Sequence, residues 1–347
     1  MAEEFRLIDR YFKPLSAGVQ SGDIGIGDDG AVLSVPAGHQ LVVVTDTLVS
    51  GVHFPVDAKP YDIAWKALAV NLSDLAAMAA KPGFFSLALT LPHNDAAWLE
   101  AFAQGLQAIS REYAIPLIGG DTTKGPLTIT VTAHGWVEQG KALLRSGAKP
   151  GDVICVSGCL GDAGLGLKHA LHQLNETEQT GLTPGQWQSA LQALHRPVPQ
   201  LALGRALCGK AHAGIDISDG LLADLGHIVE CSQARLQAAG SQDILGVELY
   251  LSELPLSAAM QAWFAQQTSW HLPLAAGDDY QLCLTMSEAA YAELKMQFPD
   301  KLYRIGRITA SAGIAFWDQP QEQGGKQMSH LEVLGEQYCQ ANGYQHF

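Results

Sequence analysis

Basic residues are scarce in this chain: Lys and Arg total 21 against 35 Asp and Glu in 347 residues, for a formal net charge of −14. A field of that sign repels nucleic acid and anionic membranes, so neither is an expected partner. Charged residues of both signs make up only 16% of the chain, below the usual ~25%, so few charges should sit where they do nothing. The six cysteines (Cys155, Cys159, Cys208, Cys231, Cys283 and Cys339) form no CxxC pair and no Cys/His spacing suited to zinc. They read as buried thiols of a cytoplasmic protein. No stretch reaches the ~18 uninterrupted apolar residues that a membrane-spanning helix needs. The N-terminus, Met1-Ala-Glu-Glu-Phe-Arg6, is acidic and lacks an apolar leader core. A soluble, cytoplasmic protein is expected. There is no GxxxxGK[ST] and no repeat of solenoid period, which excludes a P-loop enzyme and a repeat array.

What is present is a well-mixed globular composition, 47% apolar, long enough for two domains at roughly 100 to 200 residues each. Helical spacing is expected over 3–12, and a Gly/Ser/Asp-rich loop follows over 14–30. Runs 31–35 and 40–45, separated by Pro36-Ala-Gly-His39, predict a β-hairpin. Helices are expected over 61–80 and 95–113, with strands over 84–91, 115–118 and 127–137. Gly147, Pro150 and Gly151 mark a boundary near 141–152. Beyond it come strands near 153–157, 213–217, 280–285 and 302–308, with helices near 162–173, 186–195, 200–208 and 219–232. The polar segments 175–188 and 319–328 are expected on the surface. The fold class is α+β: an N-terminal mixed α/β domain over 1–140 and a larger C-terminal α/β domain over 141–347.

Aspartates recur at the ends of apolar runs. Asp28 and Asp29 precede Ala31-Val-Leu33, Asp46 follows Leu41-Val-Val-Val-Thr45, and Asp121 follows Ile115-Pro-Leu-Ile-Gly-Gly120. Asp216 and Asp219 flank Ser218, Asp278 and Asp279 precede Tyr280, and Asp74 interrupts an apolar helix. Singly, such residues are caps or turns; Asp162 and Asp219 read first as helix N-caps. As a set they suggest a site, because two carboxylates about 5 Å apart repel by about 3 kcal/mol at an effective dielectric near 20. Lys66, Lys124 and Arg145 are the few bases near them. A divalent cation is the expected counter-ion, and oxygen donors such as Asp, Thr45 and Thr47 suit Mg²⁺. Gly25-Ile-Gly27-Asp-Asp-Gly30 matches GxGxxG, but no strand precedes it and two carboxylates fill the pyrophosphate position, so it is not a dinucleotide loop. Gly158-Cys-Leu-Gly161-Asp-Ala-Gly164 could be an anion loop or close helix-strand packing. Gly119-Gly-Asp-Thr-Thr123 is the better anion site.

The ordered set Gly27-Asp-Asp-Gly30, Thr45-Asp-Thr47, Asn71-Leu-Ser-Asp74, Gly119-Gly-Asp-Thr-Thr123, Arg145-Ser-Gly-Ala-Lys-Pro-Gly-Asp152, Asp216-Ile-Ser-Asp-Gly220 and Gly277-Asp-Asp-Tyr280 resembles the thiamine-monophosphate kinase family, within the superfamily of aminoimidazole ribonucleotide synthetase. The resemblance covers essentially the whole chain. It implies an ATP-binding N-terminal domain that forms a homodimer through its strands, a cleft holding several Mg²⁺ ions, and transfer of phosphate from ATP to thiamine monophosphate. It also implies Asp29, Thr45, Asp46, Asp74, Asp121, Asp216 and Asp219 as Mg²⁺ ligands. Gly120, Asp121, Arg145 and Ser218 are implied as ATP contacts, and His53, Asp278 and Tyr344 as substrate contacts. The family usually has Glu where this chain has Asp278, one methylene shorter.

No general base is expected. A phosphate acceptor, with a second pKa of about 6, is already ionised at neutral pH and needs charge neutralisation instead. The alternatives are another ATP-dependent synthetase of the superfamily, against which the Arg145–Asp152 motif and the pattern around His53 argue, and a non-enzymatic divalent-ion binder, for which no EF-hand loop exists.

Overall fold

The structure is a computed structural model and describes residues 6–16, 23–266 and 269–334. The chain divides into two compact units, the first made of Met1–Leu75, Ala80–Ala142 and His195–Leu201, the second of Ala76–Ala79, Leu143–Leu194 and Ala202–Phe347.

The first unit begins with a helical segment, Ile8–Phe12 continuing into Lys13–Ser16, which buries Tyr11, Phe12 and Leu15. Its chain order is then β1 (His39–Val49), α1 (Pro60–Ala77), β2 (Lys81–Leu91), α2 (Ala96–Glu112), β3 (Leu117–Lys124) and β4 (Thr128–Glu138). The strands form a four-stranded sheet in the order β1-β4-β2-β3, antiparallel except for β2 and β3. A parallel pair needs a crossover, and α2 supplies it. Asp95 starts α2 as its sequence suggests, its carboxylate accepting from the N–H groups of Ala97 at 2.9 Å and Trp98 at 3.2 Å. Pro60 opens α1, where its missing N–H costs nothing.

Burial alternates along β4: Ile129, Val131 and Ala133 face the core, while the intervening threonines do not. Helix α1 covers that inner face, since a Cβ on Gly135 of β4 would stand 3.0 Å from Leu75 Cδ2. On the other face Leu41 and Val43 of β1 stay 45% and 53% exposed. Segment 195–201 joins this unit through α1: Arg196 Nε donates to Asp62 Oδ1, and Trp65 Nε1 donates to the Pro197 carbonyl at 3.2 Å.

The second unit contains β5 (Val153–Val156), α3 (Asp162–Ala170), α4 (Glu176–Thr180), α5 (Pro184–His195), α6 (Leu201–Ala206), β6 (Ala211–Asp216), α7 (Leu221–Ala238), β7 (Gly246–Tyr250), α8 (Ala258–Phe264), α9 (His271–Ala275), β8 (Leu282–Met286), α10 (Glu288–Gln297), β9 (Tyr303–Thr309), β10 (Gly313–Trp317), β11 (Gln327–Met328) and α11 (His330–Leu334). Its sheet runs β11-β10-β7-β9-β5-β8-β6. Ile154, Val156, Ile215, Leu225, Leu249 and Phe316 belong to its main core, and a second cluster gathers Leu165, Leu182, Trp187, Met260 and Trp263. The class is therefore α+β, as expected.

Four local expectations are corrected. Residues 31–35 form no hairpin strand; only Val32 bridges, to Ile24, with N···O distances of 2.8 and 2.9 Å. The reason is that β1 pairs along its whole length with β4, from His39↔Glu138 to Val49↔Thr128. Segment 175–188 is not merely surface, because it folds into α4 and the start of α5 and buries Leu182 and Trp187. Gln327–Met328, expected as exposed tail, pairs with β10. Finally, Cys155 and Cys283 are buried thiols, but Cys231 is exposed; Cys339 lies outside the described residues.

Candidate active site

Asp46 and Asp121 sit within strands rather than after them. β1 runs on past Asp46 to Val49, and β3 past Asp121 to Lys124. Successive strand residues face opposite ways. Thr45 therefore turns from the helices and its hydroxyl donates to Thr132 Oγ1 at 3.1 Å, while Asp46 turns under α1, where its carboxylate is hydrogen-bonded to that of Asp74. Burial raises the Asp46 pKa above the usual carboxylate range, and the bond to Asp74 offsets part of that rise. The hydroxyl of Thr45 and the carboxylate of Asp46 are not brought together.

Asp29 and Asp121 both line a cavity of about 690 Å³ that is also lined by Lys13, Gly27, Gly119 and Gly120. Lys13 Nζ reaches Asp9 at 3.1 Å. Gly120 is required by proximity, since a Cβ there would stand 1.8 Å from the Leu87 carbonyl oxygen. In register, Asp46 lies opposite Val131, which lies opposite Leu87, which lies opposite Gly120. Three inter-strand spacings thus separate Asp46 from the neighbour of Asp121, about 14 Å across the sheet.

His53 is half-buried in the turn after β1. Its Nδ1 accepts from the Val49 N–H at 3.0 Å, and its carbonyl accepts from Lys66 Nζ at 3.3 Å.

In the second unit Asp216 ends β6 and is buried, with Ser218 and Asp219 half-buried in the turn that follows. Segment 277–281 lies along that turn: the N–H groups of Asp278 and Tyr280 donate to the carbonyls of Ser218 and Ile217, both at 2.8 Å. Asp216, Ser218, Asp219 and Asp278 are so brought to one end of the sheet. Arg145 is exposed on a stretch running along the outer edge of β6, where the Leu144 carbonyl accepts from the Gly214 N–H at 3.0 Å. Ser232 Oγ accepts from the N–H groups of Gly147 and Ala148, both at 3.0 Å, which holds that stretch in place. Tyr344 lies outside the described residues.

Two carboxylates outside the implied ligand set, Asp224 and Asp279, hold this region. Asp224 accepts three N–H groups of the 218–220 turn. Its pKa is pushed up to about 7, first by burial and then by Asp216 and Asp219. Asp279 accepts from the Gly161 N–H at 2.9 and 3.1 Å, and burial holds its pKa well above the usual range. Gly161 through Gly164 is therefore close packing rather than an open phosphate loop; a Cβ on Gly161 would meet the Pro273 nitrogen at 2.8 Å. Neither Asp162 nor Asp219 is an N-cap: glycines 161 and 220 hold those positions, and Asp162 instead accepts from Ser257 Oγ. A carboxylate four residues into a helix, as at Asp224, was the available signal.

Among the described residues no three His, Cys, Asp or Glu side chains stand close enough to hold a metal unaided. Asp46 with Asp74, Asp29 with Asp121, and Asp216 with Asp219 are partial, all-oxygen donor sets. Such sets fit Mg²⁺, which takes one or two carboxylates and completes its shell with water and phosphate oxygens.

The family model described as "AIR synthase related protein, N-terminal domain" matches residues 27–137. A thiamine-monophosphate kinase of Salmonella typhimurium is 45% identical over 285 residues, 82% of this chain and 83% of that protein. The crystal structure of the thiamine-monophosphate kinase from Stenotrophomonas maltophilia K279a superposes with a TM-score of 0.76 at 42% identity, covering 92% of this chain and 98% of its own. AaThiL complexed with AMPPCP and TMP gives a TM-score of 0.70 at 28% identity, covering 94% and 97%. With identity of this order spread over both units, the chain belongs to the thiamine-monophosphate kinase family.

Proposed function

We propose that this thiamine-phosphate kinase transfers the γ-phosphoryl group of ATP directly, in line, to the phosphate of thiamine monophosphate, giving ADP and thiamine diphosphate. The observation that carries the reading is whole-chain likeness to relatives bearing that name, one of them complexed with AMPPCP and TMP. The residues agree with it. An ionised phosphate acceptor needs no base, and two of the motif carboxylates, Asp29 and Asp121, line a cavity with the glycine-rich segment Gly119-Gly120 that can receive anionic oxygens.

Asp29, Asp46, Asp74 and Asp121 in the first unit and Asp216 and Asp219 in the second would hold Mg²⁺. Thr45, whose hydroxyl is bonded to Thr132, is the remaining ligand of the proposed set. Mg²⁺ when bound would neutralise phosphate oxygens and let two anions approach. The chain's own residues supply the rest: Gly120 lets the main chain come close, Arg145 and Ser218 contact ATP, and His53 and Asp278 contact thiamine monophosphate. With Nδ1 accepting from Val49, the neutral His53 ring carries its proton on Nε2. The first unit is the ATP and Mg²⁺ domain. It forms a homodimer through the sheet face that leaves Leu41 and Val43 exposed. No helix among the described residues is long and apolar enough to cross a membrane, and the proposed location is the cytoplasm.

A coupled assay tests the activity. Purified protein with ATP and Mg²⁺ should form product from thiamine monophosphate, not from thiamine or an aminoimidazole ribonucleotide precursor, and chelation by EDTA should abolish turnover. Product from the aminoimidazole precursor alone would reassign the chain within its superfamily.

A further inference from the structure

Two helix starts of the second unit turn main-chain N–H groups outward, and carboxylates of the chain itself close both. At the start of α7 the main-chain N–H groups of Ser218, Asp219 and Gly220 converge on a single oxygen, Asp224 Oδ2, at 3.0, 3.1 and 3.2 Å. Three consecutive N–H groups at the head of an 18-residue helix make a cradle for an anion, and the helix dipole favours negative charge there. Asp224 is 2% exposed and lies one turn further on, so its side chain folds back and fills the cradle. At the start of α3, Asp279 takes the Gly161 N–H in the same fashion.

The 218–220 turn is gripped from its other side as well. The Ser218 carbonyl accepts from the Asp278 N–H, and a Cβ on Gly277 would stand 2.5 Å from that carbonyl oxygen. The turn therefore has one conformation, set by Asp224 on the N–H side and by segment 277–281 on the carbonyl side. Ser218 and Asp219 project from it.

We infer that Asp224 is a positioning residue of the kinase: its carboxylate occupies the place of a phosphate oxygen, fixes the turn that presents Ser218 and Asp219, and closes the main-chain cradle to the nucleotide. The inference rests on the reading that Ser218 contacts ATP and Asp219 holds Mg²⁺. It adds that nucleotide phosphates reach this turn only through those two side chains. A carboxylate, unlike a bound phosphate, stays when product leaves, so the turn keeps its shape between turnovers.

The test compares the full-length wild-type protein with Asp224→Ala, which vacates the cradle, and Asp224→Asn, which keeps an oxygen in it. In Asp224→Ala the KM for ATP should rise about tenfold or more while the KM for thiamine monophosphate moves by less than about twofold. Formate, a carboxylate small enough for the vacated space, should lower the KM for ATP and raise the thermal midpoint of this variant only. Asp224→Asn should stay within about threefold of wild type for ATP. An Asp224→Ala protein that keeps its KM for ATP, or ignores formate in both assays, overturns the inference. Should that variant fail to fold, the Asn variant decides, and a tenfold loss there overturns it. If wild type makes no thiamine diphosphate, the functional reading has failed instead, and formate-dependent melting still reports on Asp224.

Discussion

The carboxylate of Asp46, in the middle of β1, is hydrogen-bonded to that of Asp74 on α1. Burial raises the Asp46 pKa above the usual carboxylate range, and the bond to Asp74 offsets part of that rise. A divalent cation held there would instead favour both carboxylates ionised.

Asp46→Asn and Asp74→Asn should each lower kcat/KM by about 10²- to 10⁴-fold, the loss of several kcal/mol of charge stabilisation. Stability should move the other way. The folded-state pKa of Asp46 lies above its unfolded value of 3.8, so its contribution is fully present below that pH and is lost as pH rises through the folded value. In EDTA at neutral pH, Asp46→Asn should melt no lower than wild type, and any advantage should vanish near pH 4. Calorimetry with and without Mg²⁺ checks both halves; near-wild-type activity would remove Asp46 from the metal set.

How much of this was legible beforehand follows from the range of each interaction. The two helices of the first unit are short-range features, and the structure places them where the spacing puts them. The partner of β1 is β4, some ninety residues away, and the nearer run 31–35 looked equally β-forming. With that pairing misjudged, Asp46 was expected at a strand end instead of under a helix. Strand β7 is hard to read from sequence because Glu248 breaks its apolar run; Arg307, its register partner on β9, answers that charge at 2.7 Å. Neither Asp224 nor Asp279 shows its role in the sequence, since which N–H groups a carboxylate meets is a tertiary fact.

Glycine substitutions should separate close packing from helix propensity. A Cβ on Gly105 of α2 would stand 2.3 Å from the Tyr61 carbonyl oxygen, whereas one on Gly226 of α7 meets nothing within 4 Å. Gly105→Ala should destabilise by about 1–3 kcal/mol through overpacking, and Gly226→Ala should stabilise by roughly 0.5–1 kcal/mol. Urea melts give both numbers, and a neutral Gly105→Ala would contradict the helix contact.

His271 at the start of α9 has its pKa lowered to about 4, first by burial and then by Lys168. The unfolded chain, with a histidine pKa of 6.5, binds the extra proton first, so stability is lost as pH falls from 6.5 towards 4. His271→Gln should flatten the melting curve across that window relative to wild type. Parallel curves for the two proteins would show that His271 does not carry the effect.

Direct transfer predicts no phosphoenzyme. With γ-labelled ATP, Mg²⁺ and no acceptor, the protein should remain unlabelled after denaturation, because an ionised phosphate acceptor needs no covalent relay. Acid-stable or base-stable label on a side chain would establish a two-step route.

Asp278 is one methylene shorter than the Glu that the resemblance implies at this position, and its backbone adds a second constraint. Its φ of +62° lies in the left-handed region, where Asp is tolerated and longer side chains cost about 1–2 kcal/mol. Its N–H is spent on the Ser218 carbonyl, so the residue cannot swing without loosening the turn that carries Ser218 and Asp219. Asp278→Glu should therefore melt lower while holding or lowering the KM for thiamine monophosphate, because the longer arm reaches what Asp reaches less directly. Asp278→Ala should raise that KM and leave the KM for ATP nearly unchanged, a split that marks substrate binding. A large fall in kcat with the substrate KM unchanged would instead put Asp278 with Asp216 and Asp219 among the cation-holding residues.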